Sequence, residues 1–172
     1  KRALYAQIEP KLKPDAVLAT NTSSIEIETL CENLVEPGRL VGVHFFNPVS
    51  KLPLVEIVEG SRTAPQAAQT ALRFARKLDK LPLPCKSAPG FVVNRILTPY
   101  VNEALFALES GIPAAVIDRA ATDFGMPMGP IELTDVVGLD VSLHVGRVLA
   151  QAFKRRIPES LVTLVEQKKL GR

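Results

Sequence analysis

The spacing of apolar residues changes along this chain, and each change marks an element. Over residues 1–12, Leu4, Ile8 and Leu12 recur at every fourth position, the repeat of a helix face, and Pro14-Asp15 stops it. A short β-rich run at 16–20 ends at the polar cluster Asn21-Thr22-Ser23-Ser24, which opens a predicted helix over 25–34. Residues 40–46 form an apolar strand terminated by Asn47-Pro48, since proline offers no N–H to a ladder and restricts the residue before it. Residues 54–58 predict the next strand. Residues 63–78 predict a helix with Ala67, Ala71, Phe74 and Leu78 on one stripe, and 81–85 a last strand interrupted by Pro82 and Pro84. Helix and strand signals alternating in this way predict an α/β domain with a largely parallel sheet.

The character changes at Ala88-Pro89-Gly90, a turn signal after which the pattern is helical almost to the end. The domain boundary is therefore expected between 1–87 and 88–172, giving α/β followed by all-α. Residues 91–108 carry Val93, Leu97, Tyr100, Val101, Ala104 and Leu108 on one side, an amphipathic helix suited to a core or an interface. Pro99 lies inside it, where an interior proline costs about 3 kcal/mol and predicts a bend. Further helices are predicted at 113–124, 129–137, 140–153 and 158–168.

Composition narrows the function classes. The chain is 47% hydrophobic and 23% charged over 172 residues, ordinary for a globular protein. Its longest apolar stretches fall well short of the ~20 residues of a membrane span, so no span is expected, and residues 1–10 carry no secretory signal. Cys31 and Cys85 stand apart with no ligand-spaced neighbours, which argues against a zinc site and against a disulfide framework, and for idle thiols in a reducing compartment. A net charge of +3 is mild, and the basic run Lys154 to Arg156 reads as the solvated end of a helix rather than a nucleic-acid patch.

Two histidines exist. His44 lies near the end of the strand before Asn47-Pro48, and in open α/β sheets ligands collect at the carboxyl ends of strands. It is a candidate general base, or else a satisfied, half-buried histidine; His144 reads as surface or packing. Glu56 interrupts the apolar run Leu54-Val55-Glu56-Ile57-Val58. A buried carboxylate needs a partner, and His44 is the obvious one; an exposed edge position, or pairing with Lys51 or Arg62, is the alternative. Ser23 with Glu26 matches a capping box, although a capping hydroxyl keeps its own proton to donate to a substrate oxygen. Asn94, in Gly90-Phe91-Val92-Val93-Asn94-Arg95, suits a helix end or a ligand carbonyl equally.

Five ordered blocks carry a resemblance that covers nearly the whole chain: Asn21-Thr22-Ser23-Ser24, Gly42-Val43-His44-Phe45-Phe46-Asn47-Pro48, Pro53-Leu54-Val55-Glu56, Pro89-Gly90-Phe91-Val92-Val93-Asn94-Arg95 and Pro127-Met128-Gly129-Pro130. Together they resemble the 3-hydroxyacyl-CoA dehydrogenase family, in particular the dehydrogenase part of multifunctional fatty-acid oxidation proteins. The resemblance implies the C-terminal half of a Rossmann-type dinucleotide-binding domain followed by a helical substrate-binding and dimerisation domain. It implies NAD as cofactor, an acyl-CoA substrate and a homodimer. It assigns His44 as general base and Glu56 as its partner, with Ser23 and Asn94 holding the reacting oxygens and Lys1, Ser23 and Asn47 near the nicotinamide. A bacterial cytoplasm, or an organelle matrix in a eukaryote, is the expected compartment.

No G-x-G-x-x-G, the loop that lets the backbone approach a pyrophosphate, occurs in the sequence, where the first glycine is Gly38. The expectation is a chain that starts after the first βαβ half and that, by itself, binds NAD poorly and turns over little. A competing reading is a helical dimerisation or scaffold module without catalysis, based on the apolar stripe of 91–108. A Ser23, His44, Glu56 hydrolase triad is disfavoured because the G-x-S-x-G elbow is absent.

Overall fold

The structure, a computed structural model, describes every residue except Ser24, so the last residue of the Asn21–Ser24 cluster lies outside the described residues. Contacts divide the chain into two compact units, Lys1–Val92 and Val93–Arg172.

The first unit contains α1 (Arg2–Ile8), β1 (Leu18–Thr20), α2 (Ile27–Cys31), β2 (Leu40–Phe45), β3 (Leu54–Glu59), α3 (Pro65–Lys77) and β4 (Leu81–Lys86). Among the described residues the strands form one sheet in the order β1-β2-β3-β4. The β1–β2 and β3–β4 pairings are parallel, but β2–β3 is antiparallel, so the sheet is mixed where sequence alternation predicts a largely parallel one. The cause is the connection: residues 46–53 carry no helix and are too few for the crossover of a dozen or more residues that parallel neighbours need.

Strand parity sorts the side chains onto two faces. Val41, Val43, Val55 and Ile57 pack against Ala71 and Ala75 of α3. Leu40 and Val58 face the other way, onto Tyr5, Ile27, Leu30 and Phe91. The face of α3 that meets the sheet is Ala67, Ala68, Ala71 and Ala75, whereas Phe74 and Leu78 of the predicted stripe are exposed; small side chains let the helix axis approach the strands. The first helix is likewise shorter and turned from its predicted register. It gives way to a 3₁₀ turn at Glu9–Lys11 around Pro10, and it buries Tyr5 while Leu4 stays exposed.

Pro82 and Pro84 do not interrupt β4. Leu81 and Ser87 donate N–H groups to Pro53 and Glu59, so by alternation the even-numbered residues turn their amide side away from β3. Proline on that side of an edge strand removes no ladder bond.

The second unit is helical: α4 (Val93–Glu109), α5 (Ala114–Phe124), α6 (Pro130–Val137), α7 (Leu139–Phe153) and α8 (Glu159–Glu166). Its core joins Val101 and Leu105 of α4 to Leu139, Leu143 and Leu161. Helix α4 continues through Pro99. The Asp118 carboxylate of α5 accepts the N–H groups of Ile131 and Glu132 at 2.8 and 3.1 Å, capping the first turn of α6. A Cβ on Gly129 would fall 2.2 Å from that carboxyl carbon, which accounts for the glycine in Pro127-Met128-Gly129-Pro130. No single helix among the described residues is long and apolar enough to cross a membrane.

Candidate functional site

β1 and β2 run parallel and therefore deliver their carboxyl ends, Asn21–Ser23 and His44–Asn47, to the same edge of the sheet. Leu40, position 42 and His44 share one face of β2 by parity. Gly42 occupies the middle position because a Cβ there would meet the Val58 Cβ at 2.7 Å.

His44 is the register partner of Glu56 across the antiparallel pair, so both side chains rise from the same face. Their contact is 2.7 Å, from His44 Nδ1 to Glu56 Oε2. Because a carboxylate only accepts, Nδ1 carries the hydrogen and Nε2 is left with its lone pair outward of the pair. The Glu56 side chain has no exposed surface, while 8% of the His44 side chain is exposed: the acid is sealed and the base retains an opening. The other carboxylate oxygen, Oε1, accepts the backbone N–H of Val92 at 2.9 Å. Phe46 and Phe91 present edge contacts to the imidazole, with ring centroids 4.6 and 5.8 Å away.

The alternative partners for Glu56 are not used in this way. Arg62 donates instead to the carbonyl and Sγ of Cys31, and Lys51 is exposed. The capping box expected of Ser23 and Glu26 is also displaced. Helix α2 starts at Ile27 with Glu26 itself, rather than Ser23, in the N-cap position. The Ile27 N–H goes to Ser87 Oγ at 3.0 Å, and Thr22 Oγ1 accepts from Ile25. Asn21 ties the strand ends together: its side-chain oxygen accepts the N–H of Phe45 at 2.9 Å, directly after His44.

Of the other sequence candidates, Ser23 is half-buried in the loop after β1, and Asn47 is exposed just beyond β2. Lys1 is exposed at the N-cap of α1, Asn94 is half-buried in the first turn of α4 in the second unit, and His144 is exposed on α7. Val92, Phe91 and Asn21 lie in the blocks that carried the resemblance, but sequence reasoning gave none of them a role. Only the consecutive turn signals at Pro89-Gly90 hinted that the backbone turns there.

Two other groups in this unit are perturbed. Burial, then the charges of Glu56 and Glu59, push the Cys85 thiol up to about 12. Burial also pushes the Glu28 carboxyl up, but hydrogen bonds from the Ser87 hydroxyl and the Ser61 N–H outweigh it and hold it below its ordinary value. Both cysteines are free. Among the described residues no group of three or more His, Cys, Asp or Glu could hold a metal ion.

A four-stranded α/β unit followed by a helical one, with a histidine and a glutamate joined near a strand end, defines a Rossmann-like architecture with a helical C-terminal unit. Residues 1–88 match the family model described as 3-hydroxyacyl-CoA dehydrogenase, NAD binding domain, and residues 90–172 the model described as its C-terminal domain. The chain belongs to the 3-hydroxyacyl-CoA dehydrogenase family. It is 42% identical over 175 residues to the fatty acid oxidation complex subunit alpha of Psychrobacter cryohalolentis, a match that covers 99% of this chain and 24% of that protein. It superposes with a TM-score of 0.93 and 37% identity on the crystal structure of FadB2 from M. tuberculosis, covering 100% of this chain and 64% of that one. For 3-hydroxybutyryl-CoA dehydrogenase from Escherichia coli K12 the values are 0.92 and 40%, with 99% and 37% covered. The chain thus spans about a quarter of the length of the fatty acid oxidation subunits it matches.

Proposed function

We propose that this chain carries the catalytic base of an NAD-dependent 3-hydroxyacyl-CoA dehydrogenase, oxidising (S)-3-hydroxyacyl-CoA to 3-oxoacyl-CoA in fatty-acid β-oxidation. The observation that carries the reading is the 2.7 Å contact between His44 Nδ1 and Glu56. It directs the basic lone pair of Nε2 away from the acid, where it can take the proton of a 3-hydroxyl. Glu56 then stabilises the imidazolium across an interaction sealed from water, which strengthens it. NAD, when bound, would supply the acceptor for the hydride that leaves carbon 3, while the O–H proton goes to His44 Nε2, so that both hydrogens and the two electrons lost by the alcohol are accounted for. The neutral hydroxyl and amide donors at the same sheet edge fit that cofactor's nicotinamide end: Ser23 and Asn47 would hold it, with Lys1 nearby. Ser23 and Asn94 would hold the substrate's reacting oxygens.

The relevant assay is NADH-dependent reduction of acetoacetyl-CoA by the protein that carries this chain. His44→Gln is expected to lower kcat by about 10²- to 10⁴-fold; a rate equal to that of the unmodified protein overturns the reading.

The helical unit we propose to be the homodimerisation element of a protein of the bacterial cytoplasm. An open groove of about 690 Å³ runs along α4, lined by Arg95, Pro99, Glu103 and Phe106 and reaching Phe153 of α7. Arg95 and Glu103 lie two turns apart in that groove with opposite charges. A two-fold axis near Pro99 would pair each with the other on a second copy, the self-complementarity an isologous interface requires. Sedimentation equilibrium is expected to give a dimer; a monomer at micromolar concentration contradicts this.

A further inference from the structure

Glu56 has two oxygens and the mechanism above uses one. The second is occupied by the N–H of Val92, and the way that N–H arrives is unusual. Gly90 and Phe91 are both in the left-handed region, at φ +72° and +48°. Glycine adopts this at no steric cost, but for a bulky aromatic residue it is a true outlier, and such outliers persist only where surrounding contacts over-determine them. Here the contacts are identifiable. The Phe91 N–H is bonded to the Ala88 carbonyl at 3.0 Å. Its ring, 3% exposed, is packed into the core with Tyr5, Ile27 and Val58 and meets the His44 imidazole edge-on. The next amide reaches Glu56.

We propose that Phe91 is a positioning residue for the His44 base. Its left-handed backbone aims the Val92 N–H at Glu56 Oε1, fixing the carboxylate plane so that Oε2 faces His44 Nδ1, and its ring limits rotation of the imidazole. In this role it acts through the His–Glu pair, which its ring and the following amide both contact. The purpose of the strained turn is thus to clamp the acid from the side opposite its catalytic use. This inference rests on the assignment of His44 as base.

Three alterations of the protein that carries this chain test it: Phe91→Ala, Phe91→Gly, and replacement of the Val92 amide by an ester, which deletes only the N–H. Both side-chain changes remove the ring, but glycine reaches a φ of +48° freely and alanine does not. The expected order of kcat is unmodified, then Gly, then Ala, with the ester form lowered about tenfold and KM for acyl-CoA and NAD little changed, since a small misplacement of a catalytic group costs rate rather than binding. ¹⁵N spectra of the His44 ring supply a readout independent of turnover. The hydrogen is expected on Nδ1 in the unmodified protein and shared between both nitrogens in the ester form. Melting curves ensure that every measurement is made well below unfolding, and the ester form keeps the test available if the alanine variant does not fold. An ester form with unmodified kcat and an unmodified His44 spectrum overturns the proposal. If His44→Gln is inactive in the same series, that result sinks only the positioning role, whereas an active His44→Gln protein sinks the base assignment itself.

Discussion

A carboxylate sealed from solvent costs several kcal/mol unless donors meet its oxygens, and Glu56 meets them with an imidazole on one side and a backbone amide on the other. The first half of that arrangement was legible in the sequence. An acid that breaks the apolar run of the strand following a histidine's has few ways to be neutralised, and the imidazole was the obvious partner. The second half was not, because no local pattern announces a phenylalanine in left-handed backbone; the fold imposes it by packing the ring under the sheet. Glu56 also acts on Cys85, together with Glu59. Its thiol, raised to about 12 by burial and by Glu56 and Glu59, stays protonated throughout the neutral range, so its thiolate is scarce where the unfolded chain's is not. Alkylation by iodoacetamide at pH 8, followed peptide by peptide, is expected to be about 10²-fold or more slower at Cys85 in the native protein than in the denatured one. Equal rates would refute the environment described for it. Since the folded value lies above the unfolded one, any stability this thiol contributes is complete below the unfolded value and declines as pH rises toward the folded one.

Among the elements, most were recognisable as helix or strand, and the errors cluster where a neighbour overrides local signals. Helix α3 buries Ala67 and Ala71 of its predicted stripe, but Ala68 and Ala75 complete the face in place of Phe74 and Leu78, because closeness to the strands was worth more than side-chain bulk. The start of α2 was assigned to a Ser23 capping box, yet its first N–H is taken by Ser87, sixty positions along the chain and invisible to any local rule. Ser87→Ala is therefore expected to destabilise the protein by about 1 kcal/mol, the usual worth of a helix N-terminal acceptor, measured as a lower urea midpoint. Ser87 also bonds Glu28, whose carboxyl is held below its ordinary value by hydrogen bonds that outweigh its burial. That contribution is present above the unfolded pKa and lost as pH falls through the lower folded one, so the variant's deficit should shrink in acid. A midpoint unchanged at neutral pH would show that α2 does not depend on this acceptor.

For the molecule as a whole, an α/β part followed by a helical one was legible in the change of pattern along the chain, and the sheet's four strands followed from periodicity. Its mixed direction did not, since direction depends on whether a connection can cross the sheet, and residues 46–53 are too short to do so. That antiparallel turn is what makes His44 and Glu56 direct register partners; in a parallel pairing the acid would have had to arrive from a different register. The central claim is that these two residues work as one unit. A double-mutant cycle on kcat for acetoacetyl-CoA reduction, using His44→Gln, Glu56→Gln and the pair, tests it most directly, because groups that act together are strongly non-additive. The expected result is a double variant no slower than His44→Gln alone. Losses that multiply, each substitution costing the same factor with or without the other, would contradict it.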